Sequence, residues 1–95
     1  MSFKLYVTYI SKPDCREQFV REVFQHGILN DIRAEKGCIK YEYFFSVDDV
    51  NKILIEEEWE TVEDQRVHCT QPHMDKLRGI KEKYIIDTKI FEVQN

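Results

Sequence analysis

Hydrophobic and polar residues alternate singly over Phe3 to Ile10, with Phe3, Leu5, Val7 and Tyr9 opposed to Lys4, Tyr6, Thr8 and Ile10. A period of two is that of a strand with one buried face, and Ser11-Lys12-Pro13 ends it. From Asp14 the period lengthens. Phe19, Val20, Val23, Phe24, Ile28 and Ile32 recur at helical spacing, and Asp14 with Glu17 has the form of a capping box, so a long helix is predicted from about Asp14 to Ala34. Gly27 falls inside it at a cost of about 1 kcal/mol, and Gly37 is placed as a left-handed cap at its end. Alternation returns over Cys38 to Ser46 and again over Lys52 to Glu60, joined by Val47-Asp48-Asp49-Val50-Asn51 as an antiparallel hairpin. Thr61 and Asp64 suit the start of a short helix reaching about Thr70. Pro72 restarts a helical turn toward Leu77, Gly79 is expected to break it, and Tyr84 to Val93 reads as the last strand.

The order strand, helix, strand, strand, helix, strand predicts an α+β fold of ferredoxin-like βαββαβ topology, one antiparallel sheet with helices on one face. Tyr6, Ile10, Phe44 and Leu54 then fall on the other face among charges. A homodimer buried sheet against sheet accounts for that mixture, and so does a scattered, partly exposed surface; the homodimer is the expectation carried forward.

Within Lys52 to Glu60 the alternation puts Ile53, Ile55, Glu57 and Trp59 on the buried face. Glu57 is thus carried inward with its apolar neighbours. A buried carboxylate must find a partner or take up a proton, so Glu57 is the first candidate for chemistry. The helix after it lacks an apolar stripe, so Gln65, His68 or both must meet the sheet. His68 and His73 supply titratable partners close in sequence. The plain structural readings are an internal polar contact for Glu57, core packing for Trp59, a satisfied interior imidazole for His68 and a helix-start residue for His73.

Ninety-five residues, 42% of them hydrophobic, suit a single domain over 1–95. Fourteen basic against eighteen acidic residues give a net charge of −4. There is no basic stripe for nucleic acid and no RNP1-like run, so nucleic-acid partners are not expected. Cys15, Cys38 and Cys69 are odd in number and far apart, which argues against a disulfide framework or zinc ribbon and for a reducing, cytoplasmic setting. The amino terminus lacks the apolar run of a signal peptide, and no segment approaches the ~18 apolar residues of a membrane span. The five-residue gap between His68 and His73 is not the spacing of a helical metal-binding pair, so no metal is expected. Cys69 and His68, adjacent on a helix, point about 100° apart and do not form a nucleophile pair.

Three stretches resemble one family. Glu35-Lys36-Gly37-Cys38-Ile39-Lys40-Tyr41-Glu42 is similar to the E-P-G-C-x-x-Y junction of antibiotic biosynthesis monooxygenases. Glu57-Glu58-Trp59-Glu60 resembles the family's E-x-W-x strand end, and His68-Cys69-Thr70-Gln71-Pro72-His73-Met74 its H-x-x-T-P-H segment. Lys36 stands where proline is usual, and the last segment is spaced differently from some members. The resemblance implies a dimeric α+β barrel with a pocket between sheet and helices. Its members include cofactor-free monooxygenases of quinols and anthrones, an isomerase of a phosphorylated diketone, and haem-degrading relatives that use an asparagine in the first strand. Phe3 to Ile10 contains no asparagine, so the haem branch is not expected.

On that resemblance Glu57 and His68 are the catalytic candidates, either one able to act as base. Tyr41 and Trp59 are expected as walls, with Phe45 as a further ring for stacking, and His73 as an orienting group. Deprotonating a quinol yields an anion that can pass an electron to dioxygen, so no cofactor is expected. The substrate is expected to be a small aromatic or carbonyl molecule, with dioxygen as co-substrate of the oxygenase. The same residues would serve an isomerase of a small carbonyl compound, phosphorylated or not, or a non-catalytic ligand-binding stress module.

Overall fold

The computed structural model describes residues 1–93. Strand β1 (Phe3–Ser11) is followed by helices α1 (Arg16–Gln25) and α2 (Ile28–Arg33), strands β2 (Cys38–Phe45) and β3 (Lys52–Trp59), helices α3 (Val62–His68) and α4 (Pro72–Tyr84), and strand β4 (Ile85–Glu92). The four strands form one antiparallel sheet in the order β2-β3-β1-β4. This is the ferredoxin-like arrangement, with each helical connection divided in two.

Three local expectations are corrected. The single long helix is broken at Gly27, whose φ of 66° lies in the left-handed region, so the periodicity of Phe19 and Val23 passes to Ile28 and Ile32 through a turn. The capping box does not form. Asp14 itself takes φ 61° and Cys15 is the N-cap without a side-chain bond. Gly79 does not break its helix, because α4 runs on to Tyr84 with Leu77 and Ile80 buried on either side of it. The cost of about 1 kcal/mol for an interior glycine is small beside the burial of two such side chains. Thr61 does cap α3, its side chain accepting from the Asp64 amide at 3.1 Å. Gly37 adopts φ 82° and gives its carbonyl to the Glu60 amide at 2.8 Å.

The core lies between the sheet and the helices, with Leu5, Val7, Ile53, Ile55 and Trp59 from the strands under Phe19, Val23, Ile28, Ile32 and Leu77. Tyr9 meets Phe19 edge-on at 5.7 Å. The helix layer does not cover β4. Ile90 shares the helix-side face with its partner Val7, yet 68% of it is exposed. On the opposite face Tyr6, Phe44 and Phe91 are exposed among charged side chains. No helix among the described residues is long and apolar enough to cross a membrane.

Candidate active site

Pairing of β3 with β1 and β2 sets Glu57 between Leu5 and Tyr41 in the middle of the sheet. Its side chain points to the helix layer and is 5% exposed. Trp59, two residues on and therefore on the same face, donates its indole Nε1–H to Glu57 Oε1 at 3.0 Å. Burial pushes the Glu57 carboxyl up to about 7, against the indole hydrogen bond, which favours the charged form, and with a smaller upward push from the charge of Glu35.

His68, the last residue of α3, is buried over the sheet, 4.6 Å from Trp59 and 5.6 Å from Tyr41 between ring centroids. Its Nδ1 lies 2.8 Å from Glu35 Oε2, and the same oxygen lies 2.7 Å from His73 Nε2. A carboxylate acceptor at Nδ1 selects the tautomer with hydrogen there, so a neutral His68 offers the lone pair of Nε2. Burial lowers the imidazole pKa below 6.5, although the hydrogen bond and charge of Glu35 oppose it. His68 is therefore a neutral acceptor at physiological pH.

Glu57, His68 and Tyr41 border one cavity of about 160 Å³. Leu5, Val7, Tyr9 and Ile90 form its sheet side, and Met74, Leu77, Arg78 and Lys81 its α4 side. Those four recur at i, i+3, i+4 and i+7, one face of a helix. Apart from Arg78 and Lys81 the walls are largely apolar, and Glu57 and His68 gather where α3 meets β3. Burial raises the Tyr41 hydroxyl pKa well above 10, which keeps it a hydrogen-bond donor. The Cys69 thiol also borders the cavity, and burial raises its pKa too, so it is no ready nucleophile.

The other candidates sit elsewhere. Trp59 is fully buried behind Glu57 and does not line the cavity; it positions the acid. His73 is likewise outside the lining and is bound to Glu35. Phe45 lies at the far end of β2, 42% exposed, with the Arg16 guanidinium 3.9 Å above its ring. Arg16 is anchored there by the carbonyls of Ser46, Asp49 and Lys52, so Phe45 is held apart from the cavity and does not stack against anything inside it. Glu35, Tyr9, Arg78 and Lys81 were not singled out by the sequence. Glu35 carried a signal, as the first residue of the junction segment, and Tyr9 another, as an inward residue of the first strand.

Glu35, His68 and His73 also place a carboxylate oxygen and two imidazole nitrogens within 4.8 Å of one another. This is a two-histidine, one-carboxylate donor set, which the sequence spacing of the histidines alone had argued against. Its atoms are hydrogen-bonded to each other, and the trio ties the α2–β2 junction to α3 and α4.

Comparison with known proteins agrees with this architecture. Over 99% of the chain and 93% of its own length, protein PA3566 of Pseudomonas aeruginosa superposes with a TM-score of 0.86 at 21% identity. A conserved protein of Methanosarcina mazei Go1 does so with a TM-score of 0.87 at 16% identity, over 100% of the chain and 93% of its own. A protein described as an antibiotic biosynthesis monooxygenase gives 0.84 at 19% identity, over 100% and 98%. At these identities the likeness establishes the fold. No curated protein matches the chain in sequence. The sequence pattern of the antibiotic biosynthesis monooxygenases, however, matches residues 3–79, a span that holds the Glu35 junction, the Glu57–Trp59 strand and both histidines of the trio. The chain belongs to the antibiotic biosynthesis monooxygenase family.

Proposed function

We propose that the protein is a cofactor-independent monooxygenase that oxidises a small aromatic quinol or anthrone with dioxygen. The observation that carries this reading is that Glu57 and His68 border one largely apolar cavity, with the acid at a pKa of about 7. Ionised Glu57, or Nε2 of His68, removes a proton from the substrate, and the apolar walls keep the resulting electron-rich anion away from water. In the anthrone case a ring CH2 becomes C=O. That change supplies all four electrons dioxygen takes up, one oxygen atom entering the product and the other leaving as water. No external reductant is consumed.

A second reading, isomerisation of a small carbonyl compound, is favoured by the presence of two proton-exchanging groups in one cavity, since enolisation needs a base and a donor. Oxygen uptake with a panel of hydroquinones and anthrones separates the two. Uptake that falls in Glu57→Gln and His68→Ala supports the oxygenase, whereas no uptake above a protein-free control removes it. The protein is further expected to act as a homodimer through the sheet face bearing Tyr6, Phe44 and Phe91. A solution mass equal to one chain would end that expectation.

A further inference from the structure

We propose that Lys81, with Arg78 three residues before it, forms an anion-binding entrance to the cavity, so that the aromatic molecule taken up carries a carboxylate or phosphate at the end remote from Glu57. This rests on the reading of the cavity as a site for a small aromatic ligand, and it adds the ligand's charge.

Lys81 is half-buried and its Nζ lies 4.4 Å from the centroid of the Tyr9 ring, on the cavity wall. Unlike Lys40, paired with Glu56, and Lys83, paired with Glu22, it has no carboxylate within ion-pair distance among the described residues. Burial and the like charge of Arg78 both lower its pKa, and no acid among the described residues offsets them. A charge withdrawn from water without a counter-charge is a standing cost, and such uncompensated groups in clefts are where ligands supply the missing partner. Arg78 is held in place by Asp75 at 2.8 Å and by the Cys69 carbonyl at 2.6 Å. Asp75 is largely exposed, so solvent weakens its neutralisation of the guanidinium. Glu82 and Asp87 border the adjoining surface groove together with Lys81 and Arg78, but neither pairs with them. The bland account of Lys81 is an apolar stem packed on Tyr9 with a cation–π contact.

The geometry suits a ligand with two different ends. Tyr9 lies four residues along β1 from Leu5, which pairs with Glu57, a separation of about 13 Å between Cα atoms. Glu57 and Lys81 both border the cavity of about 160 Å³, so a ligand of one or two rings is expected to reach from one to the other. The proton to be removed then sits at Glu57 and the anion at Lys81.

Titration calorimetry at low salt with 2-naphthol, 6-hydroxy-2-naphthoate and 2-naphthyl phosphate tests this, because none of the three needs to be turned over. The wild type is expected to bind one of the anions at least about tenfold more tightly than naphthol, and the stronger of the two anions identifies the group. K81M keeps the apolar stem and should lose most of that preference while still binding naphthol, which also shows that the variant is folded. K81R should retain the preference. Equal affinities in the wild type, a preference that survives in K81M, or no binding of any of the three would overturn the proposal. Failure of the oxygenase reading is separate: it appears as absent oxygen uptake with the anion preference intact.

Discussion

The indole of Trp59 donates to the carboxylate of Glu57 at 3.0 Å from two residues along the same face of β3. A strand's period of two makes this contact a local property of the sequence, and burial makes it consequential. Among the described residues it is the interaction that draws the Glu57 pKa down against desolvation. Trp59→Phe keeps most of the packing and removes the donor. Glu57 in that variant should titrate above the wild-type value of about 7, so the acid limb of the kcat/KM profile for oxygen uptake should move to higher pH. An unmoved limb would show that Glu57 is not the group being titrated.

Stability should carry the same signature. The Glu57 pKa is raised from 4.5 to about 7 in the folded state, so between those values the folded protein holds a proton that the unfolded chain releases. Stability from this group is full below pH 4.5 and falls as pH rises through about 7, by an amount on the order of 3 kcal/mol. Glu57→Gln removes that dependence. Chemical denaturation should find the variant more stable than wild type at pH 8, with the gap closing toward pH 4.5, while oxygen uptake falls by about a hundredfold. A gap that does not change with pH would contradict the burial of an ionisable acid here.

Glu35 touches the cavity through its hydrogen bond to His68, and its charge adds a smaller upward push on Glu57. Glu35→Gln leaves an amide oxygen able to accept from one imidazole, but it removes the charge that opposes the downward shift at His68 and loosens the tie to His73. We expect kcat to fall by about tenfold or more, with KM little changed and a stability loss of about 1–3 kcal/mol. If KM rises while kcat holds, Glu35 is shaping the cavity rather than setting the His68 tautomer.

The inward turn of Glu57 was legible because it depends only on strand periodicity, and the ferredoxin-like order because each element has its own period. What the sequence could not convey lies in tertiary geometry. Phe19, Val23, Ile28 and Ile32 keep a helical spacing across Gly27, so the break at its left-handed φ leaves little trace in the pattern. Gly79 looked like a stop because propensity disfavours glycine, yet Leu77 and Ile80 hold the helix together. That misreading hid Arg78 and Lys81, which reach the cavity only because α4 is thirteen residues long. Trp59 was placed on the correct face, but the nearby acid takes its N–H and occupies the space in front of it. Glu35 meets His68 across 33 positions of sequence, a distance no local pattern spans.

Two glycines should answer oppositely to alanine. At Gly37, φ is 82° and a Cβ would run into the Asp64 carboxylate, so Gly37→Ala should cost about 2 kcal/mol or more and disturb the start of α3. At Gly79 a Cβ meets nothing within 4 Å. Gly79→Ala should stabilise the protein by up to about 1 kcal/mol. Thermal melts of the two variants against wild type check both signs at once.

The acid at the centre of this account can be watched directly. In protein labelled with 13C at glutamate carboxyls, the resonance missing from Glu57→Gln identifies Glu57, and its shift can be followed from pH 3 to pH 9. A midpoint near 7 is the expected result. A midpoint near 4.5, that of a solvated glutamate, would contradict the claim that the cavity holds a base poised at neutrality.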